Sequence, residues 1–533
     1  MAYSTPASVA VKIHVYSHCI VLSGYTHQIK NHLVDLCRLN AQMGMERVGR
    51  NRYEKRMKKI FASTTRTRDE FRFHRNQLSH VLDFLANRGI SRDRMELVFQ
   101  PIYTPTPIEI NYTSDKLPRD YQITQIGYLM EPPAEGYAPS KVITLQTGKG
   151  KGVISIKALC DIGQRTLIVL KPMYIQKWIN ELLELTDLKL EDIMVISGKV
   201  EGSDGVTRTA NGGAMFKALL KQAAENRLDC KVVILSNVIY ADYLDAYNTQ
   251  MAGGFDYAVT PVELCEKLGV GVRLIDEVHQ DFHRNFRFDL FTHVPVTHSM
   301  SATLDHDDRF MNERYRIMWP LAVMPPEMEY DAFIECQSLL YTINKPHLIR
   351  CTGFAKSYSH IKFEESILRS KEMTRNYMAM IIGVLEEVYL QDRQPKQSAI
   401  IFCATVTMCT LVQQAIQRKY PDIHVERYVS QDSYEENFLA PEIVVSTIGS
   451  AGTAVDKPNL RETIMTNALN SKQANVQVLG RTRRLKDYPD RAPRFHFLSC
   501  REIPKHMEYA RAKYEKFQGK VAGFRTVQTP YRI

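Results

Sequence analysis

From about residue 116 to residue 500, short apolar runs rich in β-branched residues alternate with helical patterns, and that alternation leaves few architectures open. The runs fall at residues 142–145, 166–170, 193–196, 231–235, 272–275 and 294–299. After a helical stretch at 373–389 they resume at 398–403, 443–446, 464–466 and 495–498. Strands joined by helices run parallel, and a parallel sheet needs helices on both faces. The pattern therefore predicts an α/β chain with two parallel-sheet domains in tandem, residues 113–350 and 351–533. Ahead of them the spacing predicts a small α+β domain over residues 1–112, with a strand at 9–22, a helix at 28–43 and a second helix at 76–87 stopped by Gly89. The Pro/Thr-rich run 101–107 reads as a linker. Met507, Ala510, Tyr514 and Phe517 share one face of a terminal helix expected to pack on the second sheet domain.

With 533 residues, 44% apolar and 24% charged, the chain has the composition of a soluble multidomain protein. No segment approaches the ~18 uninterrupted apolar residues of a membrane span, and the first residues lack a signal pattern, so a cytoplasmic protein is expected. Ten cysteines are scattered without a C-x-x-C pair, which argues against a zinc ribbon or a disulfide framework. Charge is uneven. Residues 1–116 carry 18 Lys and Arg against 10 Asp and Glu, most of the chain's net +10. Within them, Arg47 to Arg75 holds 11 basic residues, among them Arg50, Arg52, Arg56, Lys58 and Lys59, against three acidic ones. Such a run reads as a polyanion-binding surface or as a solvated face. Tyr53, Phe61, Phe71 and Phe73 among the cations suit base stacking, or core.

Residues 145–152 read Leu-Gln-Thr-Gly-Lys-Gly-Lys-Gly between a predicted strand and a predicted helix. Gly148, Gly150 and Gly152 let the backbone curl so that N–H groups converge, and the following helix N-terminus adds roughly half a positive charge. Lys151 would reach the outer phosphates. A phosphate loop usually continues with Ser or Thr, whose hydroxyl ligates Mg²⁺; here Gly152 stands in that place. Farther on, Asp276 and Glu277 directly follow an apolar strand, at the sheet edge where open α/β folds bind ligands. Asp276 suits a metal ion, held directly or through water, and Glu277 suits orienting and deprotonating an attacking water.

This loop, the stretch Leu274 to His279, Ser301-Ala302-Thr303 and the stretch Gln477 to Arg484 together resemble the ordered motifs of superfamily two helicases and translocases. Leu117 to Gln122, and Thr166 to Pro172 followed by Gln176, Trp178 and Glu181, are most similar to the UvsW-type branch-remodelling helicases of bacteriophages and their XPB-like and Snf2-like relatives. The resemblance implies two tandem RecA-like domains behind the basic N-terminal one. It implies ATP and Mg²⁺ as cofactors, with Arg119, Tyr121 and Gln122 at the base and Thr147, Gly148, Lys149, Gly150, Lys151 and Gly152 around the phosphates. Lys171 and Pro172, and Thr447 in the second domain, would contact nucleic acid. Gly452, Thr453 and Asp456 would face the nucleotide, although Ala454 stands where the family has Gly. His279, as a partner across the cleft, Ser301, Thr303 and Gln477 would couple hydrolysis to movement. Arg481 and Arg484, three apart and expected on one helical face, would meet the γ-phosphate.

The activity implied by the resemblance is ATP hydrolysis coupled to translocation along nucleic acid, by a DNA helicase or translocase that remodels duplex, forked or branched DNA in replication, recombination or repair. It would act as a monomer in the cytoplasm, a host cell's for a phage protein. An RNA helicase with the same engine and an inactive nucleic-acid-binding protein, motivated by Gly152 and Ala454, are the alternatives.

Overall fold

The computed structural model describes residues 9–47, 53–201, 207–209, 211–249, 255–326, 328–353, 357–429, 436–451 and 457–533. The chain divides into two compact units: residues 1–145, 150–304 and 308–327 form the first, and residues 146–149, 305–307 and 328–533 the second.

The first unit begins with β1 (Val11–Val15) and β2 (Cys19–Ser23), a hairpin closed by Tyr16 N donating to Cys19 O at 2.9 Å. The alternating stretch that reads as one strand is thus two. The helix His27–Leu39 follows. It ends where the buried Asn40 donates its amide back to Leu36 O at 3.0 Å, so the helix expected through residue 43 gives way to β3 (Ala41–Arg47). β3 and β4 (Tyr53–Ile60) form a separate antiparallel ribbon. β5 (Ser63–Thr64), β6 (Phe71–His74) and, after the helix Leu78–Ala86, β7 (Met95–Phe99) complete a five-stranded mixed sheet of order β5-β6-β2-β1-β7. Ile29, Leu33 and Leu36 of the first helix and Val81, Phe84 and Leu85 of the second pack on it as one apolar core.

The remainder of the unit is a six-stranded parallel sheet built from β8 (Ser140–Thr144), β9 (Thr166–Leu170), β10 (Ile193–Ile196), β13 (Val232–Ser236), β14 (Val272–Ile275) and β15 (Val296–Ser301), in the order β10-β13-β9-β14-β15-β8. A short ribbon, β11 (Lys199–Glu201) and β12 (Thr207–Thr209), lies outside it. β9, β13 and β14 are almost wholly buried, as strands covered on both faces must be. The N-terminal sheet is joined to this one by buried polar groups. His74 Nε2 lies 3.3 Å from Asp289 Oδ2, and Asp289 is ion-paired with Arg273, all three fully buried. Phe61, just after β4, packs into the larger sheet's own core.

The second unit is a seven-stranded, all-parallel sheet: β16 (Glu335–Thr342), β17 (Ser398–Cys403), β18 (Val425–Tyr428), β19 (Ile443–Thr447), β20 (Leu460–Met465), β21 (Arg494–Cys500) and β22 (Gly523–Arg532), in the order β18-β19-β17-β20-β21-β16-β22. Two parallel-sheet domains in tandem behind a small mixed α+β sheet is a RecA-like pairing. β16 lies before residue 350, where the sequence pattern places the end of the first sheet domain, yet it is hydrogen-bonded into the second sheet between β21 and β22.

Candidate nucleotide site and nucleic-acid surface

Because every strand of the first parallel sheet points the same way, the segments after β8, β9, β14 and β15 emerge at one edge. They carry Lys151, Lys171, Asp276 with Glu277, and Ser301 with Thr303. The loop after β8 curls through Gly148 (φ +89°) and Gly150 (φ +75°), left-handed values that disfavour any side chain, and Gly150 is the N-cap of the helix Lys151–Ile162. Lys151 opens that helix, and its Nζ donates to Glu277 Oε1 at 3.1 Å, both side chains largely buried. An ideal Cβ on Gly150 would overlap the Gln122 amide, so the helix Asp120–Met130 brings Gln122 against the loop. Gln122 is buried and its Oε1 accepts from Arg119 N at 2.8 Å; the Arg119 guanidinium lies 3.5 Å from the Tyr121 hydroxyl.

Asp276 is fixed from two directions. Trp178 Nε1, on the helix Ile175–Leu185, donates to its Oδ2 at 3.0 Å, and Glu277 N donates to its Oδ1 at 2.8 Å. Glu277 itself takes a left-handed φ of +47°, rare for a residue with a Cβ and a local strain of the kind found at sites. The two carboxyls titrate in opposite directions. Burial raises Asp276, and the neighbouring Glu277 charge adds to it. Burial would raise Glu277 as well, but the Lys151 ammonium and then His279 outweigh it, so Glu277 is held below the usual carboxylate range. Its second oxygen is buried without a hydrogen bond, 3.3 Å from His279 Nδ1. A paired cation, a fixed carboxyl and an ionised carboxylate at a glycine-cradled helix start can take a phosphate chain together with a divalent ion and activate a water.

His279 has a partner within its own sheet domain: Nδ1 lies 2.7 Å from Ser301 Oγ, which also donates to Thr303 O at 2.6 Å. Burial pushes the His279 imidazole down to about 4, so it is neutral at physiological pH. Lys171 N-caps the short turn Pro172–Tyr174 with Pro172 at its first position, and its Nζ is 3.5 Å from Asp281.

In the second unit, Thr447 ends β19, its Oγ1 2.9 Å from Ser450 Oγ. Gln477 lies in the helix Lys472–Leu479, but the arginines do not share its face, because the helix stops at Gly480. Thr482, hydrogen-bonded to Thr463 Oγ1 at 2.9 Å in the core, and the buried Leu485 draw the chain off the helical path, with Arg481 half-buried and Arg484 exposed beside them. Arg484 Nη2 donates to Asp331 Oδ1 at 2.7 Å and its guanidinium stands over the Phe333 ring. Of the loop residues counted with this unit, half-buried Lys149 donates its Nζ to the other oxygen of Asp331 at 2.8 Å, Thr147 is half-buried and Gly148 is exposed. Gly452, Thr453, Ala454 and Asp456 lie outside the described residues.

The basic run resolves into two populations. Arg56 and Lys58 are exposed and Lys59 half-exposed on β4, facing β3 across the ribbon, while Arg50 and Arg52 fall outside the described residues. Arg72, by contrast, is buried against Glu70 at 2.9 Å and the Phe291 ring, and Arg75 donates to Tyr16 O. Phe61, Phe71 and Phe73 are wholly buried, which makes them core and not stacking platforms.

Two residues near the first site gain a place that sequence reasoning does not assign. Trp178 and Glu181 stand three apart on one helix face. Trp178 holds Asp276, and Glu181 lies against Gly152: an ideal Cβ there would overlap Glu181 Oε2, with Cδ at 3.0 Å. Their i, i+3 spacing puts them on one face of the helix but does not reveal what that face meets.

No protein-family model and no curated protein matches the chain. Among solved structures it is similar to T4 UvsW, with 12% identity, 97% of this chain and 99% of that one covered and a TM-score of 0.32. It is similar to S. cerevisiae Dbp5 bound to RNA and ADP BeF3, at 11% identity over 78% of this chain and 91% of that one, TM-score 0.47. It is also similar to a fragment described as a putative HsdR subunit of a type I restriction enzyme from Vibrio vulnificus, at 15% over 78% and 69%, TM-score 0.45. At these scores the fold rests on strand order and connectivity.

Proposed function

We propose that the chain is an ATP-driven motor on nucleic acid, a helicase or translocase that remodels duplex, forked or branched DNA. The observation that supports this best is the Lys151–Glu277 pair at the glycine loop, beside an Asp276 held by Trp178. In this reading Lys151 leaves Glu277 for the β and γ phosphates, and the freed carboxylate takes a proton from the attacking water. Asp276 holds Mg²⁺, which would neutralise the charge developing on the phosphates. Gln122 reads the base edge. Arg481 and Arg484 stabilise the transferred phosphoryl group, Arg484 exchanging Asp331 for it. Ser301, with His279 behind it, passes the change at Glu277 to the segment after β15. Lys171, Pro172 and Thr447 grip the nucleic-acid backbone, and the β3–β4 ribbon adds a sequence-independent hold through Arg56, Lys58 and Lys59.

The test is ATP hydrolysis by the whole chain with duplex, single-stranded and forked DNA and with RNA. Stimulation strongest with forked or duplex DNA is the expected result. Strongest stimulation by RNA would move the reading to an RNA motor, and no hydrolysis with any polymer would end it.

A further inference from the structure

The phosphate loop lacks the hydroxyl that usually supplies an oxygen to the metal ion, because position 152 is Gly. The space is not empty. Glu181 reaches across from the helix after β9, and its Oε2 occupies the volume that a Cβ at residue 152 would need. Its other oxygen faces Lys177 at 3.7 Å, which turns Oε2 toward the loop. From the same helix face Trp178 fixes Asp276, so one helix carries the Glu181 carboxylate and, about one turn away, the indole that holds the Asp276 carboxylate. Nearby, Glu277 Oε2 is buried without a hydrogen bond. Among the described residues no three His, Cys, Asp or Glu side chains are grouped to hold an ion alone. Mg²⁺ is commonly held by one or two carboxylates and completed by substrate phosphates and water.

We infer that Glu181 replaces the missing loop hydroxyl as the second protein oxygen for the nucleotide-bound Mg²⁺, with Asp276 the first. The inference rests on the nucleotide-site reading and adds to it a residue from a different element. It also accounts for Gly at 152: a Cβ there would push the Glu181 carboxylate aside from the place it holds.

The experiment measures ADP binding to the whole chain by fluorescence while Mg²⁺ is varied, and Mn²⁺ binding to the protein–ADP complex by electron paramagnetic resonance. E181Q keeps the shape and loses the charge; E181A clears the space; E181A with G152S restores the usual hydroxyl. The metal concentration needed for half-maximal effect should rise about tenfold or more in E181Q and E181A. It should return most of the way in the double variant, with metal-free ADP binding retained throughout. G152S alone should disturb the site, since its Cβ meets Glu181. A wild-type metal requirement in both E181Q and E181A would overturn the inference, as would metal-free ADP binding that tightens until metal no longer matters, the mark of an occluding anion. Wild-type protein that binds no ADP at all would instead overturn the nucleotide-site reading.

Discussion

Lys151 and Glu277 neutralise one another across 3.1 Å, the lysine from the start of a helix and the glutamate from a left-handed turn after a central strand. Each is largely buried, so removing one leaves the other an uncompensated charge, a loss of ~3–5 kcal/mol for fully buried pairs and less here. Lys151→Ala should abolish ATP turnover while nucleic-acid binding survives. Turnover assays paired with gel-shift binding check this, and normal turnover would remove Lys151 from the site.

Trp178→Phe removes the indole donor from Asp276 Oδ2. That hydrogen bond lowers the Asp276 pKa against burial and Glu277, which raise it. Losing it shifts the carboxyl further up, so the acid limb of the turnover profile should move to higher pH, with ADP affinity in the absence of metal unchanged. A superimposable pH profile would leave Trp178 a packing residue only.

Arg481→Ala and Arg484→Ala should each keep nucleotide affinity and lose turnover, on the scale of ~10³-fold for a residue acting as an arginine finger. Asp331→Asn, which frees Arg484 from its partner, should not lose turnover in the same way. Single-turnover hydrolysis separates these outcomes, and equal losses in the Asp331 and Arg484 variants would point to a structural pair.

Replacing Arg56, Lys58 and Lys59 by Gln should flatten the salt dependence of duplex binding by about 0.9 in log–log slope for each phosphate no longer neutralised. The ribbon stands apart from the five-stranded sheet, so thermal stability should hold. An unchanged slope would return these cations to a solvated face.

Asp289→Ala should be among the most destabilising changes in the chain. Burial works against this carboxyl, yet Arg273, then the His74 hydrogen bond, hold it far below the usual range. A depressed carboxyl contributes stability that is present above its unfolded pKa near 4 and lost as pH falls toward the folded value. Wild-type unfolding free energy should therefore fall below about pH 4, and the variant should lose much of that dependence. Chemical denaturation across pH would contradict this if both curves ran parallel.

The sheet domains are legible in the sequence because their strands are mostly buried and read as short, largely apolar runs: 166–170, 193–196, 272–275 and 398–403 coincide with β9, β10, β14 and β17. The elements that stay hidden have no such pattern. β22, exposed over most of its length at a sheet edge, and the charged β3–β4 ribbon carry little apolar signal. The early end of the helix at Leu39 depends on Asn40 bonding within a buried network, which spacing does not reveal. At the site, the residues next to strand ends can be found from their order along the chain. The place of Glu181 cannot, because its meeting with Gly152 arises from two helices packing and not from local sequence.

The most direct measurement is ATP hydrolysis with forked DNA by wild-type protein and by Glu277→Gln, each first shown to bind nucleotide. DNA-stimulated hydrolysis in the wild type and none above background in the variant is the result expected. Equal hydrolysis in the two proteins would contradict the account.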